Sequence, residues 1–158
     1  MSKLLINERP LLILPKLATV IGLNEAIVLQ QIHYWLLTYA EKHDVKHFRE
    51  GRWWVWNSIQ QWQSDNFPFW DERTVRRVLT SLRNPFTPKD RGGTQTDIRV
   101  TRGRLVLTGN FNEVKYDKTI WYTIDYTELN RIENQLSNDL PYGQIVHMDV
   151  DKMSTPIP

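Results

Sequence analysis

The sequence contains no cysteine, which excludes disulfide bonds and thiolate metal sites. It also has no uncharged apolar run approaching the ~18 residues that a membrane-spanning helix needs. Near the N-terminus, Lys3, Glu8, Arg9 and Lys16 interrupt the apolar runs, a pattern that no signal peptide has. We therefore expect a cytoplasmic protein that makes no contact with a membrane.

The motifs of common enzymes are lacking too. The glycine pair within residues 91–94 has neither the spacing nor the lysine of a phosphate-binding loop. His43 and His47 are spaced like a metal-binding pair, but they fall in a polar segment without a third ligand nearby. No pair of carboxylates and no nucleophile with a base stands out. We expect no enzymatic activity, no metal and no cofactor.

What is present is a charged, aromatic-rich chain of one domain's length. Its 158 residues are 41% hydrophobic and include seven Trp, six Tyr and five Phe. The net charge is only +2, yet residues 71–118 hold eleven Lys or Arg against six Asp or Glu. A basic middle of this kind can mark a polyanionic partner, or it can be chance clustering on a solvated face.

The first third of the chain predicts helices. Pro15 suits the start of a short helix over 16–21 that ends at Gly22, and Asn24 is placed to cap a longer helix over 24–42. Residues 41–49 are polar and predict a loop. The long helix has one apolar stripe, formed by Val28, Ile32, Trp35, Leu36 and Tyr39.

A strand and two helices follow. Residues 53–56 have strong β propensity, and Asn57 is placed to cap a short helix, with Gln60 as its capping-box partner. That helix must end near Asn66, because Pro68 disfavours helical geometry at the preceding residue. The next helix is predicted over 71–84, with Asp71 as its N-cap. Its inward stripe is Val75, Val78, Leu79 and Leu82, which leaves Arg73, Arg76, Arg77, Thr80 and Asn84 outward.

The remaining elements form a hairpin and a last helix. Residues 104–108 and 120–126 alternate as two antiparallel strands, with Leu105 and Leu107 sharing a face. Thr127 is placed to cap a helix that buries Leu129, Ile132 and Leu136. Residues 85–103 predict an exposed inserted loop, with a short strand at 97–101. Residues 137–158 predict a flexible tail or linker.

This order predicts an α+β fold, namely a winged helix-turn-helix domain over 1–136 with a small antiparallel wing sheet. In such domains the second helix of the pair enters the major groove of DNA. Its first turns meet the base edges, and basic residues of the wing touch the backbone. The candidate DNA-binding residues are Arg73, Thr74, Arg76, Arg77, Thr80, Arg102, Arg104, Lys115 and Lys118.

Two other interpretations fit the same residues. Any surface helix needs polar residues on its outer face, and arginine is a good helix former. Winged helices also serve as protein–protein modules. In an adaptor or inhibitor of that kind, Phe111, Trp121 and the strand at 53–56 would form the partner surface.

Three segments resemble a known family: LLILPKLATVIGLNEAIVLQQIHYWL, GRWWVWNSIQQWQSDNFPFWDERTVRRVLTSL and RLVLTGNFNEVKYDKTIWYTIDYTEL. They are similar to the N-terminal winged-helix region of replication proteins of Gram-positive phages and mobile elements, related to DnaD-type primosome proteins. The resemblance covers about residues 10–130. It implies duplex DNA binding, self-association into a homo-oligomer, and a role in replication initiation or helicase loading beside a replicative helicase or primosome protein.

The sequence departs from that family in two places. The family usually passes from the recognition helix almost directly into the first wing strand, whereas residues 85–103 intervene here and carry basic residues of their own. The family often carries a C-terminal helical domain, whereas this sequence ends in a Pro-containing tail, so it is either a natural short form or a fragment that ends in its linker. A transcription regulator that binds operator DNA through the same residues is the nearest alternative to a replication role.

Overall fold

The computed structural model describes residues 9–88 and 100–139. Helices come first: α1 spans Pro15–Ile21 and α2 spans Leu23–Glu41. Gly22 lies between them with a φ of 108°, a backbone conformation that favours glycine. It ends α1 and precedes the first residue of α2, so the prediction that Asn24 caps the long helix was wrong, because Asn24 already lies within the helix.

The predicted loop over 41–49 is more ordered than expected. A single 3-10 turn at Val45–His47 leads into a small hairpin, formed by β1 at Phe48–Arg49 and β2 at Arg52–Trp53. Its two-residue turn is Glu50-Gly51, and both residues have positive φ, which is typical of the tight turns that join antiparallel strands.

Strand β3 at Val55–Asn57 follows, and then α3 at Ile59–Gln61, which continues as a wider helical turn over Trp62–Asn66. Ser58 is the N-cap: its hydroxyl accepts from the backbone N–H of Gln61, and the Gln61 side chain accepts from the N–H of Ser58. The capping box therefore exists but begins one residue later than the predicted Asn57 and Gln60. The helical segment ends at Asn66, as predicted.

Helix α4 spans Glu72–Arg83, and its apolar stripe lies in the core as predicted. The strands β4 at Val106–Gly109 and β5 at Ile120–Ile124 form the predicted antiparallel hairpin. Strand β3 pairs with the other edge of β5, so the sheet order is β3-β5-β4. The last helix, α5, spans Tyr126–Asp139 and thus continues past the predicted end of the domain at 136.

The core lies between α2, α4 and the three-stranded sheet. Its fully buried side chains include Ile32 and Leu36 from α2, Leu79 and Leu82 from α4, and Tyr122 from β5. Each contributes ~1.5–3 kcal/mol of burial free energy at most. The fold is thus α+β with small antiparallel sheets. In the part of the chain that the structure describes, no helix has the length and apolar character to cross a membrane.

The inserted loop is closed at its base. Phe86 and Arg102 exchange both backbone hydrogen bonds, each 2.9 Å long, so the chain leaves and re-enters at one point. The N–H of Leu105 then donates to the carbonyl of Leu82. Strand β4 therefore starts beside the end of α4 despite the insertion. The strand predicted at 97–101 and the basic residues Lys89, Arg91 and Arg99 fall largely or wholly outside the described residues.

Candidate nucleic-acid interface

The outer face of α4 is fixed by the way the helix begins and packs. The Asp71 carboxylate accepts from the backbone N–H of Thr74 at 2.8 Å, which caps the helix. The stripe from Val75 to Leu82 faces the core. The side chains on the opposite face of the helix must therefore face solvent. The exposed set is Arg73, Arg76, Arg77 and Thr80, with Thr74 half-buried beside them.

The three arginines of this face have no partner among the residues that the structure describes. Within residues 9–88 and 100–139, their guanidinium groups form no salt bridge and no hydrogen bond. Two acids lie at the start of this helix, Asp71 and the exposed Glu72. The pKa of Asp71 is lowered chiefly by its hydrogen bonds from Thr74 and secondarily by the charges of Arg73 and Arg77. The Asp71 carboxylate is thus held at the helix N-terminus, and the three arginines outnumber the two acids at this end of α4.

A polar groove separates the second half of α4 from strand β4. Its volume is about 450 Å³. Both walls carry a basic side chain, Arg83 from the helix and Arg104 from the chain just before β4. Burial raises the pKa of Tyr122, and the charges of Arg83 and Arg76 oppose that rise. The groove is lined by Thr80, Arg83, Asn84, Arg104, Val106, Leu107 and Thr108.

Arg83 was not among the residues predicted from the sequence. Its position three residues after Thr80 and seven after Arg76 is a signal that could have identified it, because that spacing keeps one helix face. Its half-buried position near the helix end distinguishes it from the fully exposed arginines of the first turns.

Arg102 corrects the sequence prediction. Only 3% of it is exposed, and its guanidinium donates to the backbone carbonyls of Ser81, Asn84 and Gly103 at 3.1–3.3 Å. These acceptors lie at the end of α4 and beside the base of the inserted loop. The hydrogen bonds of Arg102 therefore join the helix end to the loop. Because its guanidinium is buried in these contacts, it is not available to a ligand. Arg104, two residues later, is exposed.

The loop between β4 and β5 carries Lys115 and Lys118, and both are exposed. The loop is held by the side chain of Asn112, which donates to the carbonyls of Asp117 and Thr119 at 3.1 and 2.8 Å. The indole N–H of Trp121 donates to the same amide at 2.8 Å. The two lysines thus extend from a backbone with a defined conformation.

Most of the aromatic side chains that a protein-binding adaptor would use are buried. Trp53, Trp54 and Trp121 are each at most 5% exposed, and Phe111 packs edge-on against Trp54 and Trp121. The tryptophans supply the core and brace the sheet. Trp56 and Phe111 are half-buried. Of the aromatic side chains proposed for a partner surface, Trp53, Trp54 and Trp121 are therefore not accessible to a partner.

The two histidines with metal-like spacing are separated by their surroundings. His43 is exposed, whereas His47 is buried and its Nδ1 lies 2.9 Å from the carbonyl oxygen of Trp54. Among the described residues, no group of three or more His, Cys, Asp or Glu side chains is arranged to hold a metal ion.

Comparisons with known proteins returned no match: no family model, no curated protein and no solved structure is significantly similar to this chain.

Proposed function

We propose that this chain is a winged-helix protein that binds duplex DNA with the outer face of α4. The element order from α2 through β3, α3, α4, β4 and β5, with strands in the order β3-β5-β4, supports the winged helix. In this interpretation α3 and α4 form the helix-turn-helix, and the β4–β5 hairpin is the wing.

The observation that carries the proposal is the basic face of α4, whose arginines have no partner within residues 9–88 and 100–139. Arg73, Arg76 and Arg77 extend from the first two turns of a helix whose other side is fully buried. The major groove of DNA is ~12 Å wide and admits one α-helix. Guanidinium groups in this position can donate two hydrogen bonds to guanine or hold a phosphate, and Thr74 or Thr80 can bond the adjacent backbone.

The polar groove and the wing extend the same surface. Arg83 and Arg104 face each other across it, and β4 continues into the loop with Lys115 and Lys118. A DNA strand that leaves the α4 site along this side would meet these four cations in turn. We assign Arg83 and Arg104 to phosphate contacts, because both arise from positions beside the groove rather than from the first turns of α4.

The biological role that we propose is replication initiation or helicase loading in a phage or mobile element. It rests on the resemblance of residues 10–130 to DnaD-type primosome proteins. Self-association and contact with a replicative helicase are parts of the same proposal. A transcription regulator would use the same DNA contacts, and binding to a replication origin rather than to a promoter would distinguish the two.

The test is a titration of the chain with labelled duplex DNA at several salt concentrations. Each phosphate that a cation neutralises should contribute about −0.9 to the slope of log K against log salt. We expect binding at low salt, with a slope that corresponds to several phosphates. The absence of any binding at low salt would exclude the proposal.

A further inference from the structure

The turn at the tip of the β4–β5 loop exposes an aromatic ring. Tyr116 is 84% exposed, the largest exposed fraction among the large hydrophobic side chains that the structure describes. Its ring packs on no other aromatic ring and its hydroxyl has no hydrogen-bond partner within the described residues. An isolated exposed tyrosine needs no explanation by itself, but this one stands on a braced loop between two cations.

The backbone around Tyr116 is held in place. The N–H of Asp117 donates to the carbonyl of Val114 at 3.0 Å, which closes a turn with Lys115 and Tyr116 at its centre. Below the turn, the Asn112 amide bonds the carbonyls of Asp117 and Thr119. A ring on such a turn loses little backbone freedom when it binds a ligand.

The loop around the ring carries two lysines and two acids, and the lysines are the charges closest to Tyr116 in sequence that are fully exposed. Lys115 and Lys118 are both exposed. The carboxylate of Asp117 accepts from the N–H of Thr119 at 3.0 Å, and this hydrogen bond lowers the pKa of Asp117 and keeps the group within the loop. Glu113 is the remaining exposed acid of the loop. The ring therefore stands next to one lysine and two residues from another.

This combination matches the chemistry of an unpaired base. A base in a single strand has a free π-face and a phosphate on either side, and stacking on an aromatic side chain contributes roughly 5- to 150-fold in affinity per base. A base in an intact duplex is already stacked on its neighbours, and a wedge must first unstack that step. The exposed ring gains most where the bases are already unpaired.

We propose that Tyr116 stacks on an unpaired base, so that the preferred ligand is duplex DNA with a short melted segment beside the α4 site. The proposal rests on the proposed DNA-binding function and makes it specific to one substrate class. The strand β4 borders the α4 groove and leads directly into this loop, so a melted segment next to the duplex contacted by α4 would lie at the wing.

The experiment compares two labelled duplexes of one sequence, one fully paired and one with a short central run of unpaired thymines. Wild-type protein should bind the melted duplex more tightly. Tyr116→Ala should weaken binding to the melted duplex by about 5- to 150-fold and leave the paired duplex unchanged. Tyr116→Phe should bind like wild type. A 2-aminopurine in the melted run should be quenched by wild-type protein and by Tyr116→Phe, but not by Tyr116→Leu.

Other outcomes overturn the proposal. If Tyr116→Ala lowers the affinity for both duplexes equally, the ring inserts into paired DNA. If the affinity for neither duplex falls, Tyr116 does not contact DNA, and its exposed ring would be available to a protein partner. Arg76→Ala on the paired duplex separates this proposal from the DNA-binding function itself. If Arg76→Ala weakens binding but Tyr116→Ala affects the paired and the melted duplex alike, only the stacking proposal fails. If neither duplex binds the wild-type protein, the proposed function fails. Because Tyr116 is exposed, a thermal melt should show that the variants are folded.

Discussion

The imidazole of His47 is stacked on the indole of Trp56, with ring centroids 3.9 Å apart and planes 7° from parallel. The ring of Tyr39 lies on the opposite face, 3.5 Å from the imidazole centroid and also at 7°. Nδ1 lies 2.9 Å from the Trp54 carbonyl oxygen, which assigns it the donor role. One histidine thus joins α2, the turn before β1, and the start of the sheet.

The surroundings of His47 favour its neutral form. Burial lowers its pKa most, the charges of Lys46 and Arg49 lower it further, and the Trp54 carbonyl and the Asp44 carboxylate oppose the fall. The Asp44 oxygen is 3.9 Å from Nε2, too far for a hydrogen bond. Desolvation therefore outweighs the attraction to Asp44, and the net effect is a lowered pKa for His47. Burial also lowers the pKa of the half-buried His33.

We predict that acid weakens the fold through these histidines. A histidine whose pKa is lower in the folded state binds its proton more readily when unfolded, so stability is full above about pH 6.5 and falls as the pH drops below it. Each histidine can contribute at most about 1.4 kcal/mol per pH unit. Urea unfolding at about pH 7.5 and about pH 5.5 should show the loss, and His47→Phe should reduce it.

The control is His43→Asn, which replaces an exposed histidine whose φ of 51° asparagine tolerates. It should leave the difference between the two pH values unchanged. If His47→Phe retains the full acid sensitivity, the stacked imidazole is not its source. Asp71 and Glu128 have a lowered pKa, so the stability that these carboxylates contribute is lost only at lower pH. They do not affect the comparison between the two pH values.

Two arginines that are two residues apart should give opposite results. Arg102→Ala removes a buried guanidinium that donates to three backbone carbonyls, and should lower the free energy of unfolding by about 1.5–3 kcal/mol. Arg104→Ala removes an exposed side chain at the groove, and should leave unfolding within about 0.5 kcal/mol of wild type while weakening DNA binding. Denaturant melts and DNA titrations of both variants measure the contrast. A stability loss in Arg104→Ala, or a stable Arg102→Ala that binds DNA poorly, would reverse our assignment.

The elements that the sequence predicted well are those set by local rules. The stripe of α4, its Asp71 cap and the stop at Asn66 before Pro68 all depend on neighbours within one or two helical turns. The antiparallel hairpin of β4 and β5 followed from alternation on both sides of a polar connection. These features need no knowledge of the rest of the chain.

The features that escaped prediction depend on distant contacts. Arg102 is buried where its backbone pairs with Phe86 and its guanidinium donates to carbonyls at the end of α4, and a basic residue in a polar segment gives no sign of such contacts. Val106 was expected opposite Leu105 and Leu107, yet Leu105 and Val106 are both buried, because Leu105 bonds to Leu82 and Asp125 before the strand begins. The pairing of β3 with β5 was expected from the fit of the strand at 53–56 to the small third strand of a wing sheet, but its register joins residues far apart in sequence and no local pattern encodes it.

The capping box offers a test between adjacent residues. Ser58→Ala removes the acceptor for the Gln61 N–H, 3.1 Å away, and should destabilise the protein by about 1 kcal/mol. Asn57→Ala changes the residue that the sequence favoured as the cap, but its position in β3 makes it a strand residue. We expect Ser58→Gly to recover most of the loss, since glycine is nearly as good an N-cap. Thermal or urea melts give the comparison, and a larger loss for Asn57→Ala than for Ser58→Ala would contradict the observed box.

The arginines of α4 should separate base contacts from phosphate contacts. For either Arg76→Ala or Arg77→Ala, loss of a phosphate contact should weaken binding to all sequences alike and make the salt slope about 0.9 less steep. Loss of a base contact should instead cost ~1–3 kcal/mol of discrimination at one base pair. Arg52→Ala, which removes an exposed arginine of the separate β1–β2 hairpin, is the matched control and should change neither quantity. If Arg52→Ala weakens binding as much as the α4 variants do, general positive charge explains the affinity and the helix face is not the site.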